Sequence, residues 1–299
     1  MTYLAHAIGH VQLNVRDIDA CVRDATDLLG LRVSRAEGGS VWLTSNGREA
    51  ELVLHQSAKD QAHVIAFEAL SEAAVLEARS RLDHYGCKLL STEPSLDCLR
   101  SGIRFSMPEG LVFELHTPAP DDMSKRRWSS SGLRPNRMDH VNILSPDPVK
   151  TRERLAGVLG MKLTERMVND ALSWMSGGNR QHHILGVVRG APGLHHYSFE
   201  LLDMLDYMRL GDKLDLLDRQ LVWGPGRHRP GDNLFAYYLD PSGAMVELSS
   251  GMAMISDDET YVAPVITELK RPDNVRRMNV WGPPAPQPWL EHQFPFTQI

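Results

Sequence analysis

Ile8-Gly9-His10-Val11-Gln12-Leu13-Asn14-Val15-Arg16-Asp17, near the start of the chain, is rewritten further on as Met138-Asp139-His140-Val141-Asn142-Ile143-Leu144. Each copy alternates as a strand does and runs on into a helical stretch. The two helical stretches end in Leu28-Leu29-Gly30-Leu31 and Val158-Leu159-Gly160-Met161, with glycine at the helix C-terminus both times. The two histidines stand 140 − 10 = 130 residues apart. A second pair, His63-Val64-Ile65-Ala66-Phe67-Glu68 and His195-His196-Tyr197-Ser198-Phe199-Glu200, repeats at 199 − 67 = 132. A third, Pro108-Glu109-Gly110-Leu111-Val112-Phe113-Glu114 and Pro241-Ser242-Gly243-Ala244-Met245-Val246-Glu247, repeats at 247 − 114 = 133. Three segments in one order at nearly constant offset predict two similar halves.

Each half reads as strand, helix, then several strands. In the first, strands are expected at 41–44, 51–55, 62–67, 103–106 and 111–115, with a helix around 71–85. Residues 1–118 and 137–255 are thus expected to form two domains. The aperiodic stretch 119–136, rich in Pro, Asp, Ser and Arg, is a linker, and 256–299 is a C-terminal tail. The tail's aromatics predict that it packs on the second half.

With 299 residues, 42% hydrophobic and 23% charged, the chain is long enough to bury two cores and ordinary for a globular protein. No apolar run approaches the length of a membrane span. A balance of 32 − 38 = −6 is the wrong sign for a nucleic-acid binder, so the expected partner is a small molecule or a protein. Cys21, Cys87 and Cys98 are too few and too scattered for a disulfide framework or a cysteine zinc site. Met-Thr-Tyr-Leu-Ala-His at the start lacks the basic and apolar regions of a secretory signal, and a cytoplasmic location is expected.

His140, His182, His183, His195, His196 and His228 are six of the thirteen histidines. A lone strand histidine is usually structural, but placement sets some of these apart. His140 lies on the first strand of its half, His196 on the strand ending Tyr197-Ser198-Phe199, and Glu247 on the strand after the Asp240-Pro241-Ser242-Gly243 turn. Two histidines and a carboxylate on separate strands can hold one face of a metal and leave the opposite positions open. That suits ferrous iron, and ligand type alone also admits manganese or zinc. No HExxH stretch supports a zinc hydrolase.

Gly226-Arg227-His228-Arg229-Pro230-Gly231-Asp232-Asn233-Leu234-Phe235-Ala236-Tyr237-Tyr238-Leu239-Asp240-Pro241-Ser242-Gly243-Ala244-Met245-Val246-Glu247 is the most specific stretch. Gly-x-His, a Tyr nine residues on, Asp-Pro-x-Gly and a Glu ten beyond the Tyr resemble the type I extradiol ring-cleaving dioxygenases of the vicinal oxygen chelate superfamily. The resemblance runs from about residue 5 to 290 and includes Met278-Asn279-Val280-Trp281-Gly282-Pro283-Pro284. It implies an α+β fold of four βαβββ modules paired into two barrel-like halves, with metal only in the second. It also implies His140, His196 and Glu247 as ligands of Fe(II), with Mn(II) as the alternative, O2 as co-substrate, a catecholic substrate and a homo-oligomer. His195 is then expected on the other face of its strand. In the first half His10 and Glu114 match two ligands, but Val64 stands where His196 does, and two donors make no triad. A site drawing on His63 would need that residue on the wrong face.

The resemblance further implies that His183 is the acid/base residue, with His182 facing away, and that Tyr237 and His228 meet a substrate oxygen. Trp174, Asp232 and Phe235 are candidate substrate contacts, and Arg227 and Arg229 candidate partners of a substrate carboxylate. Two other functions use such modules. A glyoxalase-type isomerase or epimerase would need a fourth protein ligand, and a non-catalytic binding protein would not need His140, His196 and Glu247 together.

Overall fold

The structure, a computed structural model, describes residues 2–125, 132–256, 260–266 and 278–297. The first module runs β1 (Ala5–Val15), α1 (Ile18–Arg23), β2 (Arg32–Glu37), β3 (Ser40–Thr44), β4 (Leu52–Gln56). The second runs β5 (Gln61–Ala69), α2 (Glu72–Arg81), β6 (Lys88–Ser91), β7 (Gly102–Ser106), β8 (Val112–His116). The third is β9 (Arg137–Ser145), α3 (Pro148–Leu159), β10 (Lys162–Met167), β11 (Leu172–Ser176), β12 (Leu185–Arg189). The fourth is β13 (Gly193–Glu200), α4 (Met204–Leu216), β14 (Trp223–Arg227), β15 (Leu234–Leu239), β16 (Met245–Ser250). Four βαβββ modules in an α+β fold are what the family resemblance implied, and the two similar halves are what the repeat predicted. Each helix opens on a side-chain cap at an equivalent place, Asp17 and Asp147 in one pair of modules, Ser71 and Asp203 in the other. Gly160 closes α3 in the left-handed region at φ 65°, and Gly30 takes φ 79° just after the first helical stretch.

The modules pair into two sheets, ordered β2-β3-β4-β1-β5-β8-β7-β6 and β14-β15-β16-β13-β9-β12-β11-β10. A short β17 (Val265–Ile266) extends the second beside β10, and β18 (Phe294–Pro295) pairs with β13. In the first half the sequence reading omitted β2 and β6. Both are outer strands of their sheet with little buried surface, so they carry none of the apolar alternation that reveals a strand.

One contiguous apolar cluster runs through both halves, where two separate cores were expected. The halves are joined by more than apolar contact: Leu4 N–H donates to Leu159 O, Tyr3 bonds Ser176, and Met138 N–H donates to the buried Glu51 carboxylate. The stretch expected as a linker is docked where it is described. Leu133 and Arg134 donate to the carbonyls of Leu28 and Leu29 at the end of the first helical stretch; residues 126–131 lie outside the described residues. The tail does lie against the second half through Trp289. Its end also reaches the first half, where Thr297 N–H donates to Ala62 O. Among the described residues no helix is long and apolar enough to cross a membrane.

Candidate metal centre

β16, β13 and β9 are adjacent strands, and each aims one predicted ligand at the same point. His140 Nε2 and His196 Nε2 each lie 3.0 Å from Glu247 Oε2, and all three side chains are buried. The Asp240 carboxylate sets up the strand bearing Glu247 by accepting from the N–H groups of Ser242 and Ala244 in the preceding turn.

The donor chemistry fits a divalent metal. Asp139 Oδ2, 2.9 Å from His140 Nδ1, takes that nitrogen's hydrogen, so Nε2 presents a lone pair to a carboxylate oxygen. Two acceptors at 3.0 Å need a cation or a proton between them. His196 is set the same way. Its neighbour His195 donates from Nε2 to the Trp289 carbonyl at 3.0 Å and therefore accepts from His196 at Nδ1, 2.7 Å away. His196 Nε2 is left as a buried nitrogen with a lone pair and no hydrogen to donate, 3.0 Å from Glu247 Oε2. His195 was expected on the opposite face. A bulge between Leu194 and His196 suspends the alternation, so the two rings meet. Asp139 itself is steadied by Ser249 Oγ–H and Gln181 Nε2–H, each 2.6 Å away.

Burial works to lower the His140 imidazole, but Glu247 and Asp139 outweigh it and push it up to about 10. In the metal-free protein a proton therefore stands where the metal would. Burial works to raise Glu247, and His140 and His196 hold it well below the carboxylate range. The raised imidazole adds stability to the metal-free fold that is complete below about pH 6.5 and is lost as pH rises through about 10. Metal must expel that proton. Affinity for Mn(II) should thus rise about tenfold per pH unit between about pH 7 and 9, measured by competition titration of the stripped protein; a flat profile would contradict the assignment.

A small cavity opens beside the three ligands. Its wall includes His183, His228, Tyr237, Trp174 and Asn142, and among the described residues no Lys or Arg. The His183 ring lies 4.5 Å from that of His140. His182 does not face away as expected. Residues 181–184 precede β12 rather than belong to it, so alternation does not apply, and His182 Nδ1 lies 3.0 Å from His183 Nδ1. Glu165, 3.3 Å from His182 Nε2, holds the hydrogen there, so His182 accepts from His183 and leaves His183 Nε2 with a lone pair. Burial holds His183 well below its ordinary value, hence neutral. His228 donates from Nδ1 to Met278 O at 2.8 Å and accepts the Tyr237 hydroxyl at Nε2, also 2.8 Å.

Two expected substrate contacts are corrected. Phe235 is not on the cavity wall but stacks on His228 with ring centroids 3.8 Å apart. Asp232 sits in a turn at φ 55°, exposed and ion-paired with Arg227 at 3.4 Å. Arg227 and Arg229 likewise do not line the cavity. Asn142 was missed. It lies two residues after His140 and so shares its face, and its buried Oδ1 has no partner. The first half is corrected too. His10 and Glu114 are joined not by His63, which packs edge-on against His55, but by His116, two residues beyond Glu114.

Residues 7–115 and 137–248 match the model of the Glyoxalase/Bleomycin resistance protein/Dioxygenase superfamily, and the chain belongs to that family. It is 27% identical over 262 residues to a metapyrocatechase of Pseudomonas sp. (strain CF600), covering 81% of this chain and 85% of that protein. It is 29% identical over 281 residues to a manganese-dependent 2,3-dihydroxybiphenyl 1,2-dioxygenase of Geobacillus genomosp. 3, covering 87% of this chain and 89% of that protein. Among solved structures, a variant of homoprotocatechuate 2,3-dioxygenase from B. fuscum superposes with TM-score 0.89 at 20% identity, over 100% of this chain and 84% of that one. A Mn(II)-bound glyoxalase from Novosphingobium aromaticivorans superposes with TM-score 0.87 at 26% identity, over 98% and 96%.

Proposed function

We propose that the protein is an extradiol dioxygenase that opens the ring of a catechol-type substrate beside its diol. The observation that carries this reading is the convergence of His140, His196 and Glu247 on one point, with His183 and the Tyr237–His228 pair on the wall of the same cavity. Both curated relatives are extradiol enzymes by name, which supports the same chemistry here. We take Fe(II) as the native metal, with Mn(II) as the alternative in view of the manganese-dependent relative. His140, His196 and Glu247 would hold the metal, which would supply Lewis-acid and redox chemistry to a diol and O2 brought to it.

The chain's own residues position the diol and handle its protons. The Tyr237 hydroxyl, already donating to His228, keeps oxygen lone pairs free to accept from one substrate hydroxyl. His183 Nε2 takes the proton of the other hydroxyl and returns it as the ring opens. His182 and Glu165 hold His183 in the tautomer this requires. Asn142 and Trp174 bound the space for the ring.

The isomerase reading has a solved relative named as a glyoxalase in its favour. Among the described residues, however, the ligand cluster has three members and no fourth His, Cys, Asp or Glu. One assay separates the two. Catechol supplied with Fe(II) and labelled O2 should give a yellow semialdehyde or 2-hydroxy-oxo-dienoate. Both label atoms should be retained and no external reductant consumed. A colourless dicarboxylate, or isomerisation of a thiohemiacetal with no oxygen incorporated from any catechol, would overturn the proposal.

A further inference from the structure

His10 on β1 and Glu114 and His116 on β8 form a second cluster, in the half read from sequence as metal-free. One donor atom from each lies within 4.8 Å of the other two, and none of the three residues is more than 1% exposed. Two of the donor atoms, Glu114 Oε1 and His116 Nε2, are buried with no hydrogen-bond partner. The tautomer of His116 is fixed: its Nδ1 lies 2.7 Å from the Thr117 carbonyl, which can only accept, so neutral Nε2 carries a lone pair. The nearby Arg48 is committed elsewhere, to Glu51 at 2.6 Å and Glu68 at 3.3 Å.

Comparison of the halves shows how the third donor arrives. Asp139 and Ser249 bind each other behind His140, and their counterparts at offsets of 130 and 133 are Gly9 and His116. The carboxylate and the hydroxyl are replaced by one imidazole. A Cβ on residue 9 would lie 2.2 Å from His116 Nε2, so glycine there is what admits the ring. The second half draws its triad from three adjacent strands. The first draws its cluster from β1 and β8, which flank β5, where Val64 replaces the missing histidine.

We propose that His10, Glu114 and His116 form a second metal site, for a divalent ion of the zinc type, separate from the candidate catalytic centre. Two imidazoles and a carboxylate are a zinc donor set. Ser95 closes the cluster, its N–H donating to Glu114 Oε2 at 2.9 Å and its Oγ lying 3.4 Å from His10 Nε2. The ion displaces two contacts to His10 Nε2, from the Gln12 amide at 3.0 Å and from the Ser95 hydroxyl at 3.4 Å, and the amide keeps Ser95 Oγ at 2.6 Å as acceptor. A site closed in this way serves structure, tying β1 to β8 across β5.

The full chain, stripped with chelator and reloaded with zinc chloride, provides the test. Anomalous diffraction at the zinc edge should show two peaks per chain, one of them among His10, Glu114 and His116. In solution, His196→Ala should still hold about one zinc per chain, and adding Glu114→Gln or His116→Asn should reduce that to almost none. The same two substitutions in the otherwise unaltered chain should take zinc from about two to about one and leave the His140 site loaded. A single peak at His140, His196 and Glu247 would overturn the proposal without any variant. So would zinc in His196→Ala that is indifferent to both further substitutions.

Discussion

His183→Phe should leave the metal in place and a catechol still bound, yet slow ring opening by roughly 10²- to 10⁴-fold, the usual contribution of a general acid/base group. The expectation rests on one nitrogen. His183 Nδ1–H is given to His182, the ring is kept neutral by burial, and Nε2 is left to accept a substrate proton beside the ligands. Phenylalanine keeps the ring's bulk against His140 and Trp174 and removes only its proton chemistry. His182→Phe should cost less, because His183 keeps its place and loses only the partner that fixes its tautomer. Single-turnover rates with metal content measured on the same samples check both. Equal metal and an unchanged rate in His183→Phe would remove it from the mechanism, and a larger loss in His182→Phe would exchange the two roles.

The repeat made most of the fold legible, because a strand buried on one face must alternate and a helix needs a cap and a stop. Asp17 and Asp147, Gly30 and Gly160 recur at offset 130 for that reason. The repeat put His140 and Glu247 at positions matched by His10 and Glu114, and the family resemblance, not alternation, chose His196 from its doublet. The strand logic failed where alternation lapses. The bulge at His195 and the irregular stretch at His182 turn both residues towards their neighbours, so each histidine doublet works as a pair. It failed again for outer strands β2 and β6, which bury too little to show a pattern. Phe235 was misplaced because proximity in sequence to His228 and Tyr237 does not say which side of them a ring packs on. His116 escaped because it occupies a position with no ligand counterpart in the other half, and only the space over Gly9 brings it in.

Glu247→Ala should abolish metal binding at the candidate catalytic centre, and ring cleavage with it. Glu247 is the one anionic ligand of the three, and its Oε2 is the atom on which both imidazoles close, at 3.0 Å each. Without it two neutral nitrogens face a divalent ion in a buried pocket, with only the Asp139 charge behind His140 to offset its desolvation. The fall in affinity should therefore exceed the roughly 10- to 100-fold that follows loss of an outer partner of a ligand. Asp139→Asn supplies that comparison, since the amide still offers His140 an acceptor but not a charge. The Glu247→Ala chain should stay folded, because the His140 proton, held largely by Glu247, leaves and the imidazole is buried neutral instead of charged. Metal analysis, a catechol assay and a melting curve on both variants check the ordering. Comparable losses in the two, or a Glu247→Ala chain that still cleaves catechol with Fe(II), would place the metal elsewhere.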